Sequence, residues 1–227
     1  MASLAVVFAA WAVWVWTTET DSPDSGEFEE DTKPAAGLRA RWLMLTLPLP
    51  LLVILFSATG VEASTGGWLA AYTQRLGETP QTTIGAATAF WAGLLSSRFV
   101  HSIRSTQRLR ERAVLGGGAL LISAGLVVLI AGRPGISSVI AAFAVGFGTG
   151  PIYPLALAIA LRRCESLGVF VLAGCGSAIL PLLTGTVSGW VHSLAAGLGV
   201  PLAAAVVMIA LSLRIPDDRA SAAAGTA

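Results

Sequence analysis

The amino-acid sequence predicts an all-α membrane protein, and three observations support this fold class. Hydrophobic residues make up 55% of the 227 residues and charged residues only 12%, about half of the roughly 25% typical of a soluble domain. The apolar residues are gathered in long runs, as expected for membrane-spanning helices of about 20 residues. None of these runs alternates with period two, so helices are expected to satisfy the backbone in lipid.

Seven apolar segments follow one another along the chain. Residues 1–16 are short for a complete span and lack the features of a signal peptide, so they are expected to be the end of a helix. Residues 17–41 hold seven acids and are expected to form an acidic cytoplasmic linker. Residues 42–213 are expected to form a bundle of six transmembrane helices, and residues 214–227 a tail. The six segments lie at about 42–73, 82–103, 113–132, 135–161, 166–190 and 195–213.

Prolines and glycines predict where these helices are interrupted. Pro48, Pro50 and the pair Gly66-Gly67 favour a kink or break in the long segment at 42–73. Pro181 is expected to kink the segment at 166–190.

The stretch Gly146–Pro154 has spaced glycines and two helix-shaping prolines, Pro151 and Pro154. No lysine follows as in a phosphate-binding loop, and the stretch lies inside an apolar span, which argues against nucleotide binding. An interrupted helix is instead expected here. Interrupted helices are a sequence indicator of a transport site.

The basic side chains are divided unequally between the two ends of the predicted helices. One end holds twelve of the 14 lysines and arginines, and the other holds only Arg75 and Arg133. The positive-inside rule places the twelve in the cytoplasm, together with the C-terminus. The basic run 98–112 is expected to anchor the chain at the membrane surface. The twelve are Lys33, Arg39, Arg41, Arg98, Arg104, Arg108, Arg110, Arg112, Arg162, Arg163, Arg214 and Arg219.

Glu62 is the acid that lies well inside an apolar segment, where a carboxylate is costly and usually faces the bundle interior or a water-filled cavity. It is predicted either to bind solute or carry a proton or cation, or to be protonated or paired with a neighbour such as Thr65. Ser64, Thr65 and Trp68 follow at roughly helical spacing. With Glu62 they form the predicted substrate-binding set, and acid, hydroxyl and aromatic groups together suit a polyol such as a sugar.

Other classes of protein are disfavoured. Cys164 and Cys175 lie in or beside apolar segments and do not indicate a disulfide framework or a metal site, and no cofactor is expected. A serine hydrolase built on Ser177 would need a histidine from a second helix, but His101 lies in the basic run and His192 in the segment of Ser177 itself. The net charge of +1 does not favour nucleic acid. An enzyme is therefore not expected.

Four stretches of the sequence carry a resemblance to a known family. They are GVEASTGGWLAAY (60–72), FWAGLLSSR (90–98), GFGTGPIYP (146–154) and GCGSAILPLLTG (174–185). In this order they resemble the second half of a major facilitator superfamily transporter of the fucose-permease-like sugar transporter group. The stretch 90–98, with Gly93 and Arg98, resembles the second copy of the cytoplasmic loop motif of that family, although Ser97 stands where an acid is usual.

The resemblance implies twelve helices in two halves around a central site that opens alternately to each side. Residues 42–213 would be the six-helix C-terminal half-bundle, residues 1–16 the end of the sixth helix, and residues 17–41 the central loop. The implied function is secondary active transport of a sugar-like solute across the plasma membrane, with symport of a proton or cation. The alternative is a truncated or split half without transport of its own, which would pair with a separate N-terminal half or a second copy.

Overall fold

The computed structural model describes residues 49–103, 110–132, 134–163 and 168–215. Across these ranges the regular secondary structure is entirely helical, which confirms the predicted fold class. The expected helix end at 1–16, the acidic linker at 17–41 and residues 216–227 of the tail lie outside the described residues. The helices are α1 (Leu49–Arg75), α2 (Pro80–Ser102), α3 (Glu111–Ile130), α4 (Ile136–Thr149), α5 (Ile152–Arg163), α6 (Gly168–Val191) and α7 (Leu194–Ser212).

Five helical stretches in the described part of the chain are long and apolar enough to cross a membrane, with α4 and α5 counting together as one. The helix α2 has 23 residues, a length of about 35 Å, but its composition is less apolar than that of the five. Its polar side chains include Thr83 and Ser97, which are buried against neighbouring helices. The apolar run at 82–103 predicts α2 as a helix, although hydropathy alone does not identify it as a span.

The outer faces of the helices are as apolar as their contacts with one another. Phe90, Ile122 and Leu198 are fully buried between helices, while Phe99 and Trp190 are 71% and 84% exposed. A helix that is apolar on all sides suits a lipid environment, so both the core and the exposed faces fit a bundle immersed in a bilayer.

The helix α1 is continuous, contrary to the break expected from its prolines and glycines. Pro50 lies in the first turn, where the missing N–H has no intrahelical partner to lose. Gly66 makes room for α2, because a Cβ there would lie 3.1 Å from Trp91 and 3.2 Å from Phe90. Pro181 lies inside the continuous helix α6, so the kink expected there would be a bend within one helix and not a break. Pro48 lies outside the described residues.

The helices α4 and α5 are separated at Gly150-Pro151, within the stretch where an interruption was expected. Pro151 and Pro154 lack the N–H groups that would bond the carbonyls of Phe147 and Gly150 in a regular helix. The Gly150 carbonyl instead accepts a hydrogen bond from Arg98 Nε at 3.3 Å. The break therefore exposes a backbone acceptor that a side chain from α2 uses.

Glycines set the closest helix contacts. A Cβ on Gly93 of α2 would meet the Phe143 carbonyl of α4, and a Cβ on Gly146 of α4 would meet the Phe90 carbonyl of α2. Small residues at such contacts let membrane helices approach closely. Gly93 thus lies within α2, in a helix contact, rather than in a connection between helices.

Two acids tie the ends of the bundle. Between α1 and α2, the Glu78 carboxylate accepts hydrogen bonds from Gly135 N at 2.9 and 3.0 Å and from Ser138 Oγ at 2.7 Å, which secures the start of α4. At the opposite end, Glu111 of α3 accepts a hydrogen bond from Arg162 of α5 at 2.7 Å. These contacts hold α4 and α5 against their neighbours on both sides of the break.

Candidate functional site

A cavity of about 460 Å³ lies among α1, α2, α5 and α6. Its volume falls within the range of roughly 300–1,000 Å³ typical of small-molecule sites. The lining combines one acid, one base, hydroxyl groups and aromatic rings. The lining residues are Thr59, Glu62, Ala63, Trp91, Arg98, Tyr153, Phe170, Ala173, Gly174 and Ser177.

The charged groups of this cavity form an ion pair. Glu62 Oε2 lies 3.3 Å from Arg98 Nη2, and their side chains are 24% and 39% exposed. Glu62 is at the middle of α1, so the arginine offsets the cost of a carboxylate inside a membrane span. The partner of Glu62 is thus a residue 36 positions away on another helix, and not the neighbouring Thr65.

Arg98 is held from two sides. It lies inside α2, one turn before the helix ends at Ser102, rather than in the connection that follows. Its Nη2 donates to Glu62 and its Nε donates to the carbonyl of Gly150 at the α4–α5 break. A guanidinium has five N–H groups, so Arg98 keeps further donors that can face the cavity.

The hydroxyl groups of the lining offer acceptors. Thr59 Oγ1 donates to the Ala173 carbonyl at 2.6 Å, and Ser177 Oγ donates to the Gly174 carbonyl at 2.7 Å. Because these hydrogens are engaged, the two oxygens present their lone pairs to a bound molecule. The contact of Thr59 also ties α1 to α6 and so fixes the width of the cavity.

Aromatic rings complete the lining. Trp91 and Phe170 are 48% and 44% exposed, and Trp91 is braced by Phe90 in an edge-to-face contact with ring centroids 5.1 Å apart. Tyr153 lies in the first turn of α5, next to the break. These rings provide apolar faces beside the ion pair.

The three residues predicted to bind substrate together with Glu62, which are Ser64, Thr65 and Trp68, lie away from this cavity. Ser64 and Thr65 are fully buried, and their hydroxyl groups have no hydrogen-bond partner among the described residues. Trp68 Nε1 donates to the Pro181 carbonyl of α6 at 3.1 Å. At about 100° per residue, Ser64 and Trp68 lie about 200° and 240° around α1 from Glu62, which explains why they face neighbouring helices.

Sequence reasoning missed most of the lining. Thr59 and Ala63 stand close to Glu62 on the same side of α1, so helical spacing from Glu62 could have identified them. Trp91, Tyr153 and Phe170 come from three other helices, and no sequence signal links them to Glu62. The prolines of the interrupted stretch do not line the cavity, but Pro154 leaves free the carbonyl that holds Arg98.

The comparisons with known proteins agree with this architecture. The family model described as Major Facilitator Superfamily matches residues 1–172, about three quarters of the chain. The match includes Glu62, Arg98, Tyr153 and Phe170. The searches of curated proteins and of solved structures gave no match. The described residues form a helical bundle with several stretches able to span a membrane, and the family model matches most of the chain. The chain therefore belongs to the Major Facilitator Superfamily, whose members are transporters rather than enzymes.

Proposed function

We propose that the chain binds a small polar solute, a sugar, in the cavity around Glu62 and Arg98 and takes part in its secondary active transport by alternating access. The observation that carries this proposal is a compensated ion pair that borders a cavity of about 460 Å³ among membrane-spanning helices. Ionisable side chains within a membrane span generally mark a solute or ion pathway.

The chemistry of the lining favours an uncharged polyol. The charges of Glu62 and Arg98 cancel, so a neutral solute can enter without a counter-ion. Sugar hydroxyls can donate to the Glu62 carboxylate and accept from Arg98. Trp91 and Tyr153 offer flat apolar faces against which the C–H face of a sugar ring can pack.

The same pair supports the proposal of coupling to a proton or cation. A proton or cation that binds the Glu62 carboxylate weakens its attraction to Arg98, so occupancy of Glu62 and the position of Arg98 are linked. Because Arg98 also holds Gly150, this change reaches the α4–α5 break. Ser64, Thr65 and Trp68 remain predicted supporting groups, and they would meet solute only after α1 rotates or shifts.

Uptake in proteoliposomes under an imposed pH gradient tests the proposal, with a panel of radiolabelled neutral sugars. Glu62→Gln is expected to abolish gradient-driven accumulation, because the amide can neither carry a proton nor form an ion pair with the guanidinium. Ser57→Ala removes a buried hydroxyl of the same helix outside the cavity and should leave uptake within about twofold. Unchanged accumulation in Glu62→Gln would remove this carboxylate from the mechanism.

A second candidate is a half-transporter without transport of its own, which pairs with a separate N-terminal half or a second copy in the plasma membrane. The observation that favours it is that, among the described helices, only α1, α2, α5 and α6 line the cavity. Uptake by the purified chain alone would exclude this candidate. Uptake only after co-reconstitution with a separate half would favour it.

A further inference from the structure

A second cavity, of about 450 Å³, lies between α3 and α7. It is at the end of the bundle where α3 begins and α7 ends, away from the Glu62–Arg98 pair. Its floor is a close contact, since a Cβ on Gly116 would lie 2.9 Å from Ser212 Oγ. We call this cavity the α3–α7 groove.

The groove changes from cationic to apolar along its length. Arg110, Arg112 and Leu213 line its outer end, and Gly117, Leu120 and Ile209 line the part nearer the middle of the span. The rise from Arg110 to Leu120 is about 15 Å. Leu120 and Leu213 are 61% and 59% exposed, and Gly117 leaves open space where a Cβ would stand.

The described residues that line the groove carry a positive formal charge. Arg110 precedes the first turn of α3, and its side chain makes no capping bond there. Glu111, the acid between the two arginines, does not line the groove. Its side chain is 2% exposed and bonded to Arg162. Among the described lining residues there is no acid.

We propose that the α3–α7 groove binds an anionic phospholipid, with the phosphate at Arg110 and Arg112 and an acyl chain along Gly117, Leu120 and Ile209. Basic pockets between membrane helices near the membrane surface suit anionic lipid headgroups. The combination of two guanidinium groups with an apolar channel that leads about 15 Å into the span fits both parts of such a lipid. This site does not depend on the transport function proposed above.

Native mass spectrometry of the detergent-solubilised full chain tests the charged end, with phosphatidylglycerol and phosphatidylcholine of identical acyl chains as probes. The double variant Arg110→Gln/Arg112→Gln is expected to weaken phosphatidylglycerol binding by about 30-fold. The control Arg75→Gln/Arg214→Gln removes the same charge outside the groove and should bind as the wild type does. Equal loss in the control, or equal binding of the two lipids by the wild type, would overturn the proposal.

The apolar end has its own test. Gly117→Leu places a side chain in the open groove and is expected to weaken phosphatidylglycerol binding by about tenfold without a change in charge. Gly189→Leu, at an exposed α6 position that also has open space, should have no effect. Millimolar inorganic phosphate should not displace the lipid. Undiminished binding in Gly117→Leu, or displacement by phosphate, would contradict a lipid with its chain in the groove.

Discussion

Two carboxylates, one partly buried and one fully buried, illustrate how single residues are satisfied in this chain. Glu62 meets Arg98 from α2, and Glu111 meets Arg162 from α5. Each acid lies on one helix and its arginine on another, so each pair depends on helix packing. Glu62 stands out in the sequence because its neighbours are apolar. Glu111 does not stand out in the sequence, because it lies in a run of arginines that is typical of a solvated surface.

The Glu111–Arg162 pair is asymmetric, and this predicts unequal effects of removing its two partners. The Glu111 side chain is 2% exposed, whereas that of Arg162 is 48% exposed. Arg162→Gln takes one guanidinium away from a buried carboxylate, and should lower the free energy of unfolding by about 2 kcal/mol. Glu111→Gln leaves a guanidinium that water can reach, and should cost only about 1 kcal/mol. Thermal unfolding in detergent micelles measures both, and equal losses would contradict this explanation.

At the scale of elements, the contact between α1 and α6 depends on the absence of side chains. A Cβ on Gly176 would meet the Phe56 carbonyl of α1 and would lie 2.6 Å from Thr59 Oγ1. Trp68 of α1 and Pro181 of α6 add a hydrogen bond further along the same contact. The contact therefore combines backbone proximity with specific polar bonds, and it also forms one wall of the cavity around Glu62 and Arg98.

This geometry predicts opposite effects at two neighbouring glycines. Gly176→Ala forces α1 away from α6 and should lower the free energy of unfolding by about 2 kcal/mol. Gly174→Ala meets nothing within 4 Å, and because alanine favours helix it should be neutral or stabilise by up to about 1 kcal/mol. Denaturant titration of the two variants in the same detergent measures the difference. A Gly176→Ala protein as stable as Gly174→Ala would show that the helices separate at no cost.

The α4–α5 break was accessible to sequence reasoning because proline removes specific N–H groups whatever the surroundings. The continuity of α1 through Gly66-Gly67 was not accessible to sequence reasoning. Glycine weakens a helix by only about 1 kcal/mol, and the close fit of Phe90 and Trp91 against this part of α1 outweighs that preference.

At the scale of the molecule, the unequal distribution of basic residues predicts the orientation in the membrane. The end with Arg75 should face outward, and the end with Arg214 should face the cytoplasm. Single cysteines at Gln74 and Arg214, both exposed, can be introduced in a background of Cys164→Ser and Cys175→Ser. A membrane-impermeant maleimide added to intact cells should label Gln74→Cys and spare Arg214→Cys. The reverse labelling pattern would show that the orientation is inverted.

The amino-acid sequence alone predicts the fold class, the approximate position of each described helix and one residue of the candidate site, Glu62. These predictions follow from composition, from the length of apolar runs and from the cost of a carboxylate in a span, all of which are local properties. Helix packing, which the sequence does not reveal, brings Glu62 to Arg98 and Arg98 to Gly150, and it places Trp91, Tyr153 and Phe170 around the same cavity. Those contacts depend on which faces of the helices meet, and that is set by close glycine contacts and by backbone carbonyls whose partners lie far away in the chain.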